Sequence, residues 1–444
     1  MKPENDKPWT RKLRSIFNKV DARTWAIISV PLLTGLVVCF LSIVHFFNLL
    51  GLEDFIQGYS VRYMKDYTAA AKFDKRIKIF LIGETPVAGT APSGDIDPKH
   101  REFFSKLIRA MTQARAKVLA FDIAFEYGSP FDAELGAAIA EAEKNNLKVI
   151  VGIDEFSAEQ GTDPAIPTGF GHPRWGTILV GGSRGGDGRI GTIKLAEFNA
   201  AGSSPDNPTV IPSLALRSVM EASDPALEPE FDDGRLNLLL YRSGPTRELF
   251  RSIPLDREEG LILDEVSQRE IQDARKSAQG VETEFSDPAA LSKYKDAIVL
   301  VGYEQGEMQT LLTGEKRLGV DIHASAISNI LNGIFISRLS PLHNFFIIFF
   351  MALLGAALHS GPGKWIDFKL PVPIPWTSFQ PKVPIVLVFI AALYILAAFL
   401  AYKVSRVYLD VCYHIAALLI SYAGLWFVLD KWFSKQEPIW KLNG

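Results

Sequence analysis

The sequence predicts an α/β domain, with a mostly parallel sheet and flanking helices, carried on four transmembrane α-helices. Three observations predict it. Four long uncharged apolar runs stand in two groups, one near the N-terminus and three near the C-terminus. Between them, short continuous apolar runs mark strands buried on both faces. These alternate with stretches whose apolar residues recur at three and four positions, the spacing of a helix with one buried face. Strands and helices in alternation build a parallel sheet covered by helices.

The first apolar run, Thr24 to Leu52, holds no charged residue in 29 positions. A helix needs about 20 apolar residues to cross the hydrocarbon core, so 24–52 is the expected first span. The run exceeds the apolar region of a secretory signal and no small-x-small cleavage site follows, so it is expected to remain as an anchor. Lys2, Lys7, Arg11, Lys12, Arg14, Lys19 and Arg23 precede it. This basic segment, 1–23, places the N-terminus in the cytoplasm by the positive-inside rule.

Segment 53–338 then lies outside the cytoplasm. Arg76 to Gly83 predicts a buried strand. Pro98 to Ala114 predicts a helix, with Phe103, Phe104, Leu107, Ile108 and Met111 on its buried face. Lys117 to Asp122 predicts a second strand, Asp132 to Asn145 a second helix and Leu147 to Ile153 a third strand. From Ser157 to Pro208 Gly, Pro, Asp and Ser dominate, with one strand candidate at Thr177 to Val180. Pro212 to Ala222 reads as a helix with Pro in its first turn, and Leu236 to Arg242 as a strand. The polar stretch Asp256 to Lys295 is expected to be helical in part. Ala297 to Gly302 is a clear buried strand, and Val320 to Gly333 a helix ended by glycine.

Three further spans close the order at 339–363, 383–402 and 411–430. They leave a cytoplasmic loop at 364–382 and a cytoplasmic tail at 431–444. Trp25, Trp426 and Trp432 stand at span ends, where indole rings favour the interface. The expected place is therefore a cell inner membrane, crossed several times, with the lipid bilayer as a constant partner and both termini cytoplasmic.

Segment 53–338 carries 43 acidic and 32 basic residues, a net charge of −11. This excludes nucleic acid as an expected partner. The two cysteines, Cys39 and Cys412, both fall in expected spans, so the exported segment has no disulfide. No His-x3-His pair, Lys-Ser/Thr phosphate-binding loop or His-Glu-x-x-His motif occurs. No catalytic group or zinc ligand set is implied, no enzyme is expected, and the cofactor stays open. The glycine-rich run Gly181 to Arg189 reads as a turn. The proline-rich loop Leu370 to Lys382 is either an extended segment for a partner or an interfacial one.

In open α/β sheets ligands bind beyond the carboxyl ends of the strands. The side chains there are Glu84, Asp122, Asp154, Glu155 and Tyr303, a cluster suited to a cationic ligand or to a divalent metal with oxygen ligands. Equally, strand-end acids cap following helices or face water. His323, near the start of the helix before the second span, either lines this site or packs against a neighbour such as Asp321.

Four segments in order resemble the CHASE2 family of bacterial extracellular sensor domains. They are IKIFLIGE after the first span, Phe103 to Glu126 (FFSKLIRAMTQARAKVLAFDIAFE), Ile211 to Leu216, and AIVLVG followed by Gly319 to Ile336 (GVDIHASAISNILNGIFI). The resemblance covers about Glu53 to Ile336, and His323 matches the family's histidine. It departs at GDIDPKHREFF before the first helix and at LLTGEKR, where the family often has Thr-Pro. The resemblance implies an extracytoplasmic ligand-binding domain that signals through its membrane helices. Family members usually continue into a kinase or cyclase, and no such domain is expected here. The signal would then pass to a separate cytoplasmic or membrane signalling partner, and a homo-oligomer stays open. The alternative is a structural or scaffolding subunit of a larger envelope complex.

Overall fold

A computed structural model describes residues 22–44, 46–49, 73–83, 98–125, 128–153, 168–171, 173–178, 190, 192–199, 209–232, 235–241, 247–255, 260–262, 268–277, 282–304, 308–311, 314–360, 367–369 and 382–432. The chain divides into two compact units, 57–337 and 1–56 with 338–444.

The first unit runs β1 (Ile77–Ile82), α1 (Pro98–Gln113), β2 (Val118–Ala124), α2 (Asp132–Lys144), β3 (Lys148–Ile153), β4 (Arg174–Thr177), α3 (Leu214–Ala222), β5 (Leu227–Asp232), β6 (Arg235–Tyr241), β7 (Arg247–Pro254), β8 (Arg275–Ser277), β9 (Ile298–Tyr303) and α4 (Gly319–Asn332). Six strands form one sheet in the order β8-β1-β9-β2-β3-β4. Every neighbouring pair is parallel. The last of these six strands in chain order enters the middle of the sheet: Ile298 pairs with Ile77 on one side and with Val118 on the other.

The two-residue period of the strands divides their apolar side chains between two cores. Phe80, Ile82, Leu119, Phe121, Val299 and Val301 bury against α1 and α2 through Phe104, Leu107, Leu135 and Ile139. Ile77, Ile79, Ala120, Ile298 and Leu300 bury against α3 and α4 through Leu214, Val219, Ile322 and Ile327. Burying each such Leu, Ile or Phe fully stabilises the fold by about 1.5–3 kcal/mol before entropy is counted. The continuous apolar runs in the sequence follow from this double coverage.

α4 ends as its glycine predicts. Gly333 has φ 66, in the left-handed region. The Ile334 N–H reaches the Asn329 carbonyl at 2.9 Å and the Gly333 N–H that of Ile330 at 3.2 Å, the Schellman pattern. α3 opens with Ser213 accepting from the Leu216 N–H at 3.2 Å, a serine N-cap.

Three regions differ from the sequence expectation. The helix expected from Pro212, with the proline in its first turn, starts at Leu214, and Pro212 instead ends a short strand, Thr209–Pro212. The strand expected at Thr177 to Val180 is β4, which lies earlier and starts at Arg174. The polar stretch Asp256 to Lys295 holds helix Gln268–Ala274, but also strand β8. β8 is an edge strand paired only with β1 within its sheet, so its short polar sequence, Arg-Lys-Ser, suits one open side. A separate antiparallel sheet, β7-β6-β5, has a register shift between Leu249 and Arg251.

Among the described residues, the other unit contains four helical segments long and apolar enough to cross a membrane: Thr24–Ile43, Pro341–Ser360, Val386–Ser405 and Val411–Leu429. They are called the first to fourth spans below. Small residues bring them together. A Cβ on Gly35 would fall 2.8 Å from the Phe349 ring, and one on Gly355 only 2.3 Å from the Leu418 carbonyl oxygen. Close backbone approach of this kind replaces hydrophobic driving force between helices in lipid. Leu33, Phe40, Phe346, Phe350, Phe389 and Val404 point out of the bundle, as lipid-facing side chains do.

Candidate functional site

The carboxyl ends of β1, β9 and β2 lie side by side, and α4 starts over them. Gly302, in β9, permits this: a Cβ there would stand 2.9 Å from the Val320 Cβ in the first turn of α4. β2 breaks register at the same level. Its pairing with β3 holds at Ala120 with Ile150 and resumes at Ala124 with Gly152. The extra residues form a bulge around Asp122, a device that re-aims side chains. Gly152 accommodates it, because a Cβ there would lie 2.6 Å from the Ile123 oxygen and 2.7 Å from the Phe121 oxygen.

Asp122 and His323 meet here. The His323 Nε2 is 3.7 Å from Asp122 Oδ1 and 3.2 Å from the Ile178 carbonyl oxygen. A carbonyl only accepts, so Nε2 carries the hydrogen and donates it to Ile178. In the neutral ring Nδ1 is then a bare acceptor. It is buried and has no hydrogen-bond partner among the described residues. Burial, opposed by that carbonyl bond, brings the imidazole down to about 4, so it is neutral at pH 7.

Asp122 is shifted the other way. Its side chain is 11% exposed. Burial first, and the charge of Asp321 second, push its carboxyl up to about 7. The group therefore changes charge near neutral pH. Asp321 is fully buried and is matched by Arg275. The Arg275 Nε donates to Oδ1 at 3.0 Å, its Nη2 donates to Oδ2, and the Leu318 N–H adds 3.3 Å to Oδ2. The site thus pairs one neutralised carboxylate with one carboxyl that has no cation beside it among the described residues.

Tyr303 is not part of this cluster. It falls on the opposite face of the sheet, against the α1 core, with its ring 5.9 Å from that of His100. Glu84, Asp154 and Glu155 lie outside the described residues, as do the glycine-rich run 181–189 and loop residues 370–381. Of the six candidates, the structure brings together Asp122 and His323.

Sequence reasoning missed Arg275. A short polar segment gives no sign that its arginine crosses to a helix start. It also missed the ion pair of Arg101 with Asp132, which ties the first turns of α1 and α2. Arg101 stacks there between Phe125 and Phe170, at 5.6 and 5.5 Å from their ring centres. The spacing of Arg101 three residues after a helix-favouring proline, Pro98, carries no such signal.

Neither the curated proteins nor the solved structures contain a match to the chain. The CHASE2 domain model matches residues 34–357, a stretch that includes every element of the parallel sheet, the Asp122–His323 cluster, part of the first span and most of the second, and on that match the chain belongs to the CHASE2 family.

Proposed function

We propose that this chain is a membrane-anchored extracytoplasmic sensor that binds a ligand at Asp122 and His323. It passes the signal through its transmembrane helices to a separate partner protein, and it acts by binding, without catalysis of its own. The observation that carries this reading is the meeting of Asp122 and His323 at the start of α4. α4 is the last helix of its unit, and only residues 333–340 separate it in the chain from the second span. A ligand that favours one placement of the α4 first turn over another would shift that equilibrium.

The chemistry favours a ligand that presents hydrogen-bond donors or a positive charge. His323 Nδ1 offers a lone pair, and Asp122 offers a carboxylate that binding of a cation would ionise fully. The family match supports an extracytoplasmic sensor domain, and the four apolar helices support a multi-pass membrane protein.

The test is purification of the full-length protein from its native membranes in gentle detergent, with mass spectrometry of what accompanies it. A kinase, cyclase or regulator in fixed proportion supports the sensor. One observation favours a second reading, a scaffolding subunit. Leu249 and Phe250 on β7 are 55% and 36% exposed, an apolar step on an edge strand that a partner would cover. Co-purification of envelope structural proteins, lost on L249S/F250S, would replace the sensor reading with this one.

A further inference from the structure

The four spans are joined by polar side chains at one end of the bundle. Asn344 of the second span donates from Nδ2 to Ser42 Oγ of the first at 3.3 Å. It also donates to Asp410 Oδ2, just before the fourth span, at 3.0 Å. Its Oδ1 lies 2.6 Å from His414 Nε2 of the fourth span. His414 Nδ1 lies 2.5 Å from the Tyr394 hydroxyl of the third. Each span contributes one member, and Asn344 and His414 are both buried. Ionisable groups inside a membrane bundle are costly and mark functional positions.

The donors and acceptors assign the protons. The Asp410 carboxylate only accepts, so Asn344 must turn its amide nitrogen to it and its oxygen to His414. His414 Nε2 therefore carries a hydrogen. Nδ1 is left as the ring's lone pair, with the Tyr394 hydroxyl donating to it. We propose that His414 Nδ1 is a proton-binding site within the span bundle, with Asp410 as its counter-charge. A hydronium ion gives its proton to Nδ1 and leaves as water. Nε2–H keeps its bond to Asn344, and Tyr394 changes from donor to acceptor. The released Tyr394 hydrogen needs a new acceptor, so protonation alters how the third span is held.

The groups facing His414 fit this role. From the second span comes Asn344, itself bonded to Ser42 of the first; from the third, Tyr394. His343 is turned away, to the Ser340 hydroxyl at 2.6 Å. On the fourth span Tyr413 accepts from the Phe47 N–H at 3.1 Å. Lys403 stands in the last turn of the third span, and Arg406 and Asp410 in the connector after it, of which Asp410 is buried. Arg338 lies over the Tyr408 ring at 5.7 Å.

The site is closed on its other side. One turn further along three of the spans, Val38, Ile348 and Leu418 are buried in a common apolar cluster. A proton can enter from the Asp410 end and go no further, which makes this a proton-responsive site and not a path across the membrane. In the orientation proposed above that end is extracytoplasmic, but the assignment of Nδ1 does not depend on it.

The test is nitrogen-15 NMR of histidine-labelled full-length protein in nanodiscs, titrated between about pH 8 and 4 around the histidine reference value. The expected result is a His414 signal of the Nε2–H form that converts to the doubly protonated form, with D410N moving the midpoint by about one pH unit or more. H414Q identifies the signal. Should H414Q not fold, Y394F identifies it, since it removes the hydroxyl at Nδ1 and keeps the ring. A signal that stays neutral to about pH 4, an Nδ1–H form at pH 8, or a midpoint indifferent to D410N overturns the proposal.

Discussion

His323 Nε2 lies 3.7 Å from Asp122 Oδ1, and the two groups bind protons with opposite preferences. The folded state raises the Asp122 carboxyl to about 7. Its contribution is present below the unfolded value of about 4 and is lost as pH rises through 7. The folded state lowers the His323 imidazole to about 4. Its contribution is present above the unfolded value of about 6.5 and is lost as pH falls through 4. Between about pH 4 and 6.5 the two trends oppose each other and largely cancel.

Single substitutions should uncover each trend. D122N leaves the histidine alone, so relative to wild type its stability should rise with pH from about 4 to 6.5. H323Q leaves the carboxyl, so its stability should fall from about pH 4 to 7. Each limb should be on the order of 2–4 kcal/mol. Denaturant unfolding of the full-length protein in detergent, followed at a series of pH values, measures both. Parallel profiles for the two variants would refute the opposed pair.

The Arg275–Asp321 pair should respond unequally to loss of its two members. Asp321 is fully buried and Arg275 is 24% exposed in its side chain. R275M leaves a buried carboxylate without its cation and should cost about 3–5 kcal/mol. D321N keeps an acceptor for the Leu318 N–H, and the arginine can turn toward water, so its cost should be smaller by at least about 1 kcal/mol. Equal losses in chemical denaturation would mean that the arginine has no route to solvent.

Much of this arrangement was legible in the sequence. The strands β1, β2, β3 and β9 are buried on both faces, and that burial is what makes Ile77–Ile82, Val118–Ala124, Lys148–Ile153 and Ile298–Tyr303 read as apolar runs. Asp122 was legible as an acid at a strand end, and His323 as a histidine at a helix start. Their meeting was not, because it depends on β9 entering between β1 and β2 and on a bulge that pairing alone reveals. Tyr303 shows the limit of the same rule. A strand end names a level in the sheet, and the two-residue period then sends neighbours to opposite faces. Arg275 had no sequence signal, since an edge strand with one open side needs no apolar run.

Gly152 should be intolerant of any side chain. A Cβ would stand 2.5 Å from Ile178 Cγ2 as well as against the two β2 carbonyl oxygens. Backbone cannot yield as a side chain end does, so G152A should cost about 1–3 kcal/mol. It should also displace the bulge that holds Asp122, and so reduce the pH limb that H323Q exposes. Gly171 is the control: it has φ 72 and nothing within 4 Å of its Cβ position, so G171N, a residue that tolerates the left-handed region, should leave that limb intact. Loss of the limb in G171N but not in G152A would contradict the role given to the bulge.

The contact of the second and fourth spans gives a parallel case in the membrane unit. The Gly355 Cβ position lies 2.3 Å from the Leu418 oxygen and 3.2 Å from the Tyr422 nitrogen, both backbone atoms. Among the described residues the Gly424 position meets only the Val30 Cγ1, at 3.1 Å, and a valine methyl can shift by a few tenths of an ångström. G355A must therefore push two helices apart, whereas G424A need only move one side chain. Helix association in lipid depends on such close contact because apolar burial offers no net gain there. G355A should lower the midpoint of thermal unfolding in detergent clearly, by an amount matching about 1–3 kcal/mol, with G424A near wild type. If instead G424A is the more damaging, the first and fourth spans rather than the second and fourth form the tighter contact of the bundle.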